Sequence, residues 1–179
     1  MAGIVLIGYR GTGKTTVGKI LAQRLSIPFI DSDRLLEMRA GKTIATIFAE
    51  EGEPAFRALE SEIIAGLADR TDLFVLATGG GVPVREENRR NLRRIADAQG
   101  GKGRVIWLTA TPATIVAHMA NDPSNAQTRP ALTDLSPLKE IESLLTVREP
   151  FYRQTADDIL PIDHSTPEEL ADQILSLLQ

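Results

Sequence analysis

The sequence predicts a single α/β domain, a parallel sheet covered by helices on both faces. Three observations carry this reading. Short apolar runs alternate with longer stretches of helical periodicity along nearly the whole chain. The first apolar run leads straight into a glycine-rich loop, Gly8–Thr15, and then into a helical pattern. Two other tight segments, Asp31–Asp33 and Gly79–Gly81, also follow apolar runs, which places them at carboxyl ends of strands, where ligands collect in such sheets.

Taken in order, Gly3–Ile7 has no polar side chain and reads as a fully buried strand. Lys14–Leu25 reads as a helix with Val17, Ile20, Leu21 and Leu25 on one face. Pro28–Ile30 is a short second strand that stops at Asp31–Asp33. Helical patterns cover Arg34–Arg39, Ile44–Glu50 and Pro54–Ala68, with Gly41 and Gly52 as breaks. Leu73–Thr78 is the next apolar strand, and Glu86–Ala98 is a charged helix ending before a turn at Gly100–Gly103. Arg104–Leu108 is a strand, and Thr111-Pro112 opens a helix to about Ala120.

Asn121–Leu135 contains Pro123 and Pro130 and little periodic apolarity, so it reads as a long surface loop of the kind that serves as a lid. Ser136-Pro137 starts a helix running towards Gln154, and Ile159–Ile162 is a last short strand. Thr166-Pro167-Glu168-Glu169 combines a capping box with proline at the first helical position, and the helix after it presents Leu170, Ile174, Leu177 and Leu178.

Composition narrows the function. The 179 residues suit one domain with a real core. The net charge of −4 gives no electrostatic case for nucleic acid or an anionic membrane. No apolar run approaches the ~20 residues of a membrane span, and the N-terminus enters a strand without a basic, long-apolar leader, so the expected location is the cytoplasm. There is no cysteine, which removes disulfides, thiolate catalysis and cysteine-ligated zinc.

Gly8–Thr15 reads GYRGTGKT and fits G-x-x-x-x-G-K-[ST], the P-loop, in the strand–loop–helix setting that pattern needs. Its glycines let backbone N–H groups turn in on an anion at a helix N-terminus. Lys14 is placed to reach outer phosphates, and the Thr15 hydroxyl to ligate magnesium. A nucleoside triphosphate is the expected ligand.

The acceptor is read from the other tight segments. Asp31 and Asp33 straddle Ser32, and in an extended segment their side chains share a direction. One then serves a magnesium ion and the other a substrate hydroxyl; the plainer alternative is helix capping. No strand ends in aspartate in the manner of a usual Walker B, because Phe74–Ala77 runs into Thr78, so Asp31 is the best substitute for the metal-side carboxylate. Arg57 and Glu60 lie one helical turn apart, as a surface ion pair or as a carboxylate-gripping arginine oriented by its partner. Gly79, Gly80 and Gly81 are more glycine than a turn requires and suggest close backbone approach to a ligand. Arg129 in the long loop is a candidate for the transferring phosphoryl group, against an incidental loop arginine. Arg148, by itself, reads as a solvated helix residue. The arginines between Arg85 and Arg94 are interleaved with Glu86 and Glu87 and read as a solvated face. His118 and His164 read as structural, and Trp107 as strand core.

The ordered set GYRGTGKT, DSD at Asp31–Asp33, GEPAFRALE at Gly52–Glu60, TGGG at Thr78–Gly81, RP at Arg129-Pro130 and REPFY at Arg148–Tyr152 resembles the shikimate kinases over essentially the whole chain. The resemblance implies a three-layer α/β/α P-loop kinase, 1–179, with a five-stranded parallel sheet in the order 2-3-1-4-5. It implies substrate-binding helices at about 33–68 and a mobile lid at about 121–135. The implied activity is transfer of the γ-phosphoryl group of ATP, with magnesium, to the 3-hydroxyl of shikimate, on the way to chorismate and the aromatic amino acids. Gly11, Thr12, Gly13, Lys14, Thr15 and Thr16 would hold the phosphates, and Thr15 and Asp31 the metal. Asp33 would bind the acceptor's hydroxyls and act as base, Arg57 and Arg148 would clamp its carboxylate, and Gly79–Gly81 would contact its ring. Arg129 would be the lid arginine and Ser165 an adenine contact. Relatives often carry another arginine shortly before the lid arginine, and Asn121–Gln127 has none. The implied state is a monomer without nucleic-acid or membrane partners. The rival readings are a P-loop kinase acting on gluconate or a nucleotide, and a non-catalytic sensor of shikimate or ATP.

Overall fold

The computed structural model describes residues 3–97, 103–121 and 136–178. The expected lid beyond Asn121, with Arg129, and most of the Gly100–Gly103 turn lie outside them. Five parallel strands, β1 (Ile4–Ile7), β2 (Phe29–Asp31), β3 (Val75–Ala77), β4 (Arg104–Thr109) and β5 (Asp158–Pro161), form one sheet in the order β2-β3-β1-β4-β5. The helices among the described residues are α1 (Lys14–Leu25), α2 (Ser32–Ala40), α3 (Ile44–Ala68), α4 (Glu86–Ala96), α5 (Pro112–Asn121), α6 (Pro137–Thr155) and α7 (Pro167–Leu177). None of them is long and apolar enough to cross a membrane.

The period of two along β1 builds the layers. Val5 and Ile7 face one core with Leu76, Val105 and Trp107, against α2, α3, α4 and α6. Ile4 and Leu6 face a second core with Val75, Ile106 and Leu108, against α1 and α7. All four β1 side chains are buried, as the central strand of a sheet covered on both faces requires. Tyr9, Ile115 and Ile141 make a third, smaller cluster beneath the glycine loop.

The expected sheet order is the observed one, and the elements fall within a few residues of their expected places. Leu73–Thr78 shortens to Val75–Ala77, because only those residues find ladder partners on β1 and β2. The helical assignment of α3 runs through Gly52, but Gly52 itself has φ 81° and ψ 172°, so two helical segments meet there at a kink. A left-handed φ suits glycine, and the break expected at Gly52 is real. The capping box at Thr166 and Glu169 forms reciprocally.

Candidate active site

The glycine loop joins the end of the central strand to the start of α1. Gly8, Gly11 and Gly13 have φ of 140°, 77° and 79°, values that side chains resist. Thr12 Oγ1 donates to the Tyr9 carbonyl at 2.8 Å and closes the loop. Lys14 is buried, and its Nζ donates to the carbonyls of Gly8 at 2.9 Å and Tyr9 at 2.6 Å. The ammonium is thus held inside the ring of backbone that would surround an anion. Thr16 is exposed on the first turn of α1.

Asp31 ends β2 and caps α2 with one oxygen while serving the loop with the other. Its Oδ1 accepts from the N–H groups of Asp33 and Arg34 at 3.1 and 3.3 Å. Its Oδ2 accepts from Thr15 Oγ1 at 2.9 Å. The capping reading and the metal-side reading therefore describe the same carboxylate. The extended geometry expected for Asp31–Asp33 is not what forms: α2 begins at Ser32, so Asp33 sits in its first turn, where a helix N-terminus favours negative charge. Thr15 Oγ1 and Asp31 Oδ2 bring two oxygens together beside the loop, a donor set that fits magnesium, which is usually held by one or two protein oxygens plus phosphates. No cluster of three or more acidic or imidazole ligands occurs among the described residues.

Gly79, Gly80 and Gly81 are buried, and each makes a separate contact. The Gly79 N–H donates to Ser32 Oγ at 3.0 Å, fastening this segment to the start of α2. The Gly80 carbonyl accepts from the Tyr152 hydroxyl at 2.6 Å. A Cβ on Gly81 would stand 2.2 Å from Arg57 Nη1, and one on Gly80 would stand 3.5 Å from Arg148 Nη1. Gly81 thus makes room for the Arg57 guanidinium, and the Arg148 guanidinium lies in ordinary contact range of the neighbouring Gly80, beside the P-loop.

Both arginines are held in place. Arg57 Nη1 donates to both oxygens of Glu60 at 3.1 and 3.0 Å, and Glu60 is buried, so this is no surface pair. Burial alone would lower the Arg57 pKa; the Glu60 charge and the hydrogen bonds Arg57 donates to Glu60 and Glu53 outweigh it and raise it, so the guanidinium stays charged. Arg148 is only 8% exposed, which overturns the solvated-helix reading of that residue taken alone. Its guanidinium lies over the Tyr9 ring at 5.6 Å from the centroid. Burial pushes the Tyr9 phenol pKa up, against the pull of Arg10 and Arg148, so the ring stays neutral.

Several of these residues escaped sequence reasoning. Tyr152 stands four residues after Arg148 on α6, one turn along the same face, a signal the sequence carries. Its ring lies 5.4 Å from Trp107 of β4, which aims the hydroxyl at Gly80. Ser32 reads only as the spacer between two aspartates. Arg10 Nη2 pairs with buried Glu140 at 2.8 Å, joining the loop to α6 across a sequence distance no local pattern bridges. His118 Nδ1 lies 2.9 Å from the Gly11 carbonyl, consistent with its structural reading.

Ser165 lies in the turn between β5 and α7, its N–H bonded to the Ile162 carbonyl at 3.3 Å. No described hydrogen bond links it to the glycine loop. The same turn is tied to α5 by Asp163, whose Oδ1 accepts from the Thr111 N–H at 3.0 Å and from the Thr111 and Thr114 hydroxyls at 2.9 and 2.7 Å.

Comparison with known proteins points to one family. A family model described as shikimate kinase matches residues 10–179. The chain is 43% identical to a shikimate kinase of Symbiobacterium thermophilum, over 98% of this chain and 95% of that protein. It is 40% identical to a shikimate kinase of Pseudomonas syringae pv. syringae, over 99% of this chain and 96% of that one. The solved structure of shikimate kinase from Acinetobacter baumannii in complex with shikimate matches at 35% identity with a TM-score of 0.86, covering 99% of this chain and 92% of that one. With its P-loop, its five-stranded order and two arginines meeting on three glycines, this chain belongs to the shikimate kinase family.

Proposed function

We propose that the chain is an ATP-dependent shikimate kinase that transfers the γ-phosphoryl group of ATP to the 3-hydroxyl of shikimate, within the route to chorismate and the aromatic amino acids. The observation that carries the acceptor is the meeting of Arg57 and Arg148 on the Gly79–Gly81 backbone. Two charged forks a short distance from a P-loop suit a small acceptor that bears a carboxylate and a hydroxyl.

Phosphoryl transfer needs mainly positioning and charge neutralisation. The loop from Gly11 to Thr16 binds the phosphates through its N–H groups, and Lys14 turns from the Gly8 and Tyr9 carbonyls to the outer phosphates. Thr15 and Asp31 would hold magnesium, directly or through water, and the ion supplies positive charge at the phosphates. Asp33, in the first turn of α2, orients the acceptor hydroxyl and takes its proton. Arg57 and Arg148 fix the acceptor through its carboxylate, and the Gly79–Gly81 backbone lies against its ring. Arg129 serves as the lid arginine on the transferring group, in a lid over about 121–135, while helices over about 33–68 bind the acceptor. Ser165 borders the adenine. In this reading the enzyme is a single-domain monomer in the cytoplasm, with ATP and shikimate as its only partners.

An ADP-release assay with shikimate, quinate, gluconate and nucleoside monophosphates as acceptors tests the reading. Turnover that depends on shikimate and magnesium is the expected result. Turnover on gluconate or a nucleotide but not on shikimate overturns it, and binding of shikimate without any turnover favours a sensor.

A further inference from the structure

The Arg57 guanidinium is engaged by a second carboxylate besides Glu60. Arg57 Nε and Nη2 both donate to Glu53 Oε1 at 3.2 Å, so one oxygen spans the side edge of the guanidinium. Glu60 meanwhile takes Nη1 with both of its oxygens. A guanidinium has two edges on which a carboxylate can form a two-point fork. One is filled by Glu53, and the other shares its Nη1 with Glu60.

Burial decides which protein carboxylate can yield. The Glu60 side chain is 2% exposed and the Glu53 side chain 55% exposed, with Arg57 at 14%. Withdrawing Glu60 would strand a buried charge, whereas Glu53 moves into water. Glu53 also has another resting place. It follows the Gly52 kink and opens the second helical segment of α3, where a helix N-terminus favours a carboxylate.

We propose that Glu53 is an internal stand-in for the acceptor's carboxylate: it fills the Nε/Nη2 edge of Arg57, and a carboxylate that takes this edge must displace it. Glu53 thereby weakens the hold of Arg57 on a carboxylate acceptor and leaves that on a neutral one unchanged, because only a carboxylate competes with it for that edge. This inference rests on Arg57 being the acceptor clamp.

The test compares wild type with Glu53→Gln and Glu53→Ala. Shikimate and its neutral methyl ester are titrated calorimetrically, and KM and kcat are measured with shikimate and ATP. Shikimate should bind about threefold to tenfold more tightly to both variants, with a matching fall in its KM. The KM for ATP and the affinity for the ester should change less than about twofold, since neither meets the Nε/Nη2 edge. Looser or unchanged shikimate binding in the variants, or equal tightening of the ester, overturns the role of Glu53 and leaves the proposed reaction standing. Absence of shikimate binding and turnover in wild type overturns the acceptor assignment itself, and the Glu53 exchange with it.

Discussion

The Tyr152 hydroxyl donates to the Gly80 carbonyl at 2.6 Å, so a residue of α6 fixes the middle glycine of the segment on which both arginines converge. Tyr152 is fully buried and its ring rests near Trp107 of β4, so the bond transmits the position of the sheet to the site.

Replacing Tyr152 with phenylalanine keeps the ring and removes the donor, leaving a buried carbonyl unpaired. The expected loss is about 1–3 kcal/mol of stability, read from urea unfolding. The KM for shikimate should rise more than the KM for ATP. Unchanged stability would mean that the carbonyl finds another partner.

Gly81→Ala places a methyl group where Arg57 Nη1 and Cζ lie, 2.2 and 2.7 Å from the new atom. Arg57 must shift, and Glu60 holds it, so the acceptor side should suffer alone. We expect the KM for shikimate to rise about tenfold or more, with nucleotide affinity kept. Equal losses for both substrates would point to a collapsed segment.

Asp33→Asn keeps shape and removes the charge proposed to accept the proton. Shikimate should still bind, while kcat falls by about 100-fold or more. Undiminished kcat would remove Asp33 from the proton's path.

Thr15→Val leaves the loop's shape and takes away the hydroxyl that meets Asp31 Oδ2 at 2.9 Å. The magnesium concentration for half-maximal activity should rise about tenfold, and excess chelator should stop turnover in wild type. A magnesium titration that superimposes on wild type would take Thr15 out of the metal site.

Asp163 gives a pH-dependent contribution to stability. Burial alone would raise its pKa, but hydrogen bonds from Thr114 and Thr111 outweigh it and hold the carboxyl below the ordinary 3.8. A folded pKa below the unfolded one means stability that is present above 3.8 and lost as pH falls through the folded value. The stability gap between wild type and Asp163→Asn should be widest near neutral pH and shrink in strong acid. A gap that holds constant into acid would contradict this.

The fold was legible because its signals are local and agree with one another. Ile4–Ile7 could only be a buried strand, GYRGTGKT announces the loop, and Thr166-Pro167 announces α7. The glycines and Arg57 were legible as candidates because their spacing is compact. What stayed hidden is tertiary. Arg148 looked solvated because nothing nearby in the chain shows that Tyr9 and Gly80 enclose it. Glu60 looked like half of a surface pair because i, i+3 spacing is the same on either face of a helix. Ser32 is hidden beside two carboxylates, although its hydroxyl accepts from the Gly79 N–H and joins the Asp31–Asp33 and Gly79–Gly81 segments.

The central place of β1 also sets the order in which the molecule can be assembled. Ile4 pairs with Val75 on one side and Arg104 on the other, so neither neighbour arrives until long stretches of chain have been looped closed. Helices such as α1 and α7 need only local contacts and form early, whereas distant parallel pairing is slow. The loop after β1 is held between these late contacts, with Thr78 bonded to the Leu6 carbonyl and the Gly8 backbone pressed close to Leu108. A chain refolding from denaturant should therefore regain its helical circular dichroism well before it can hold a nucleotide.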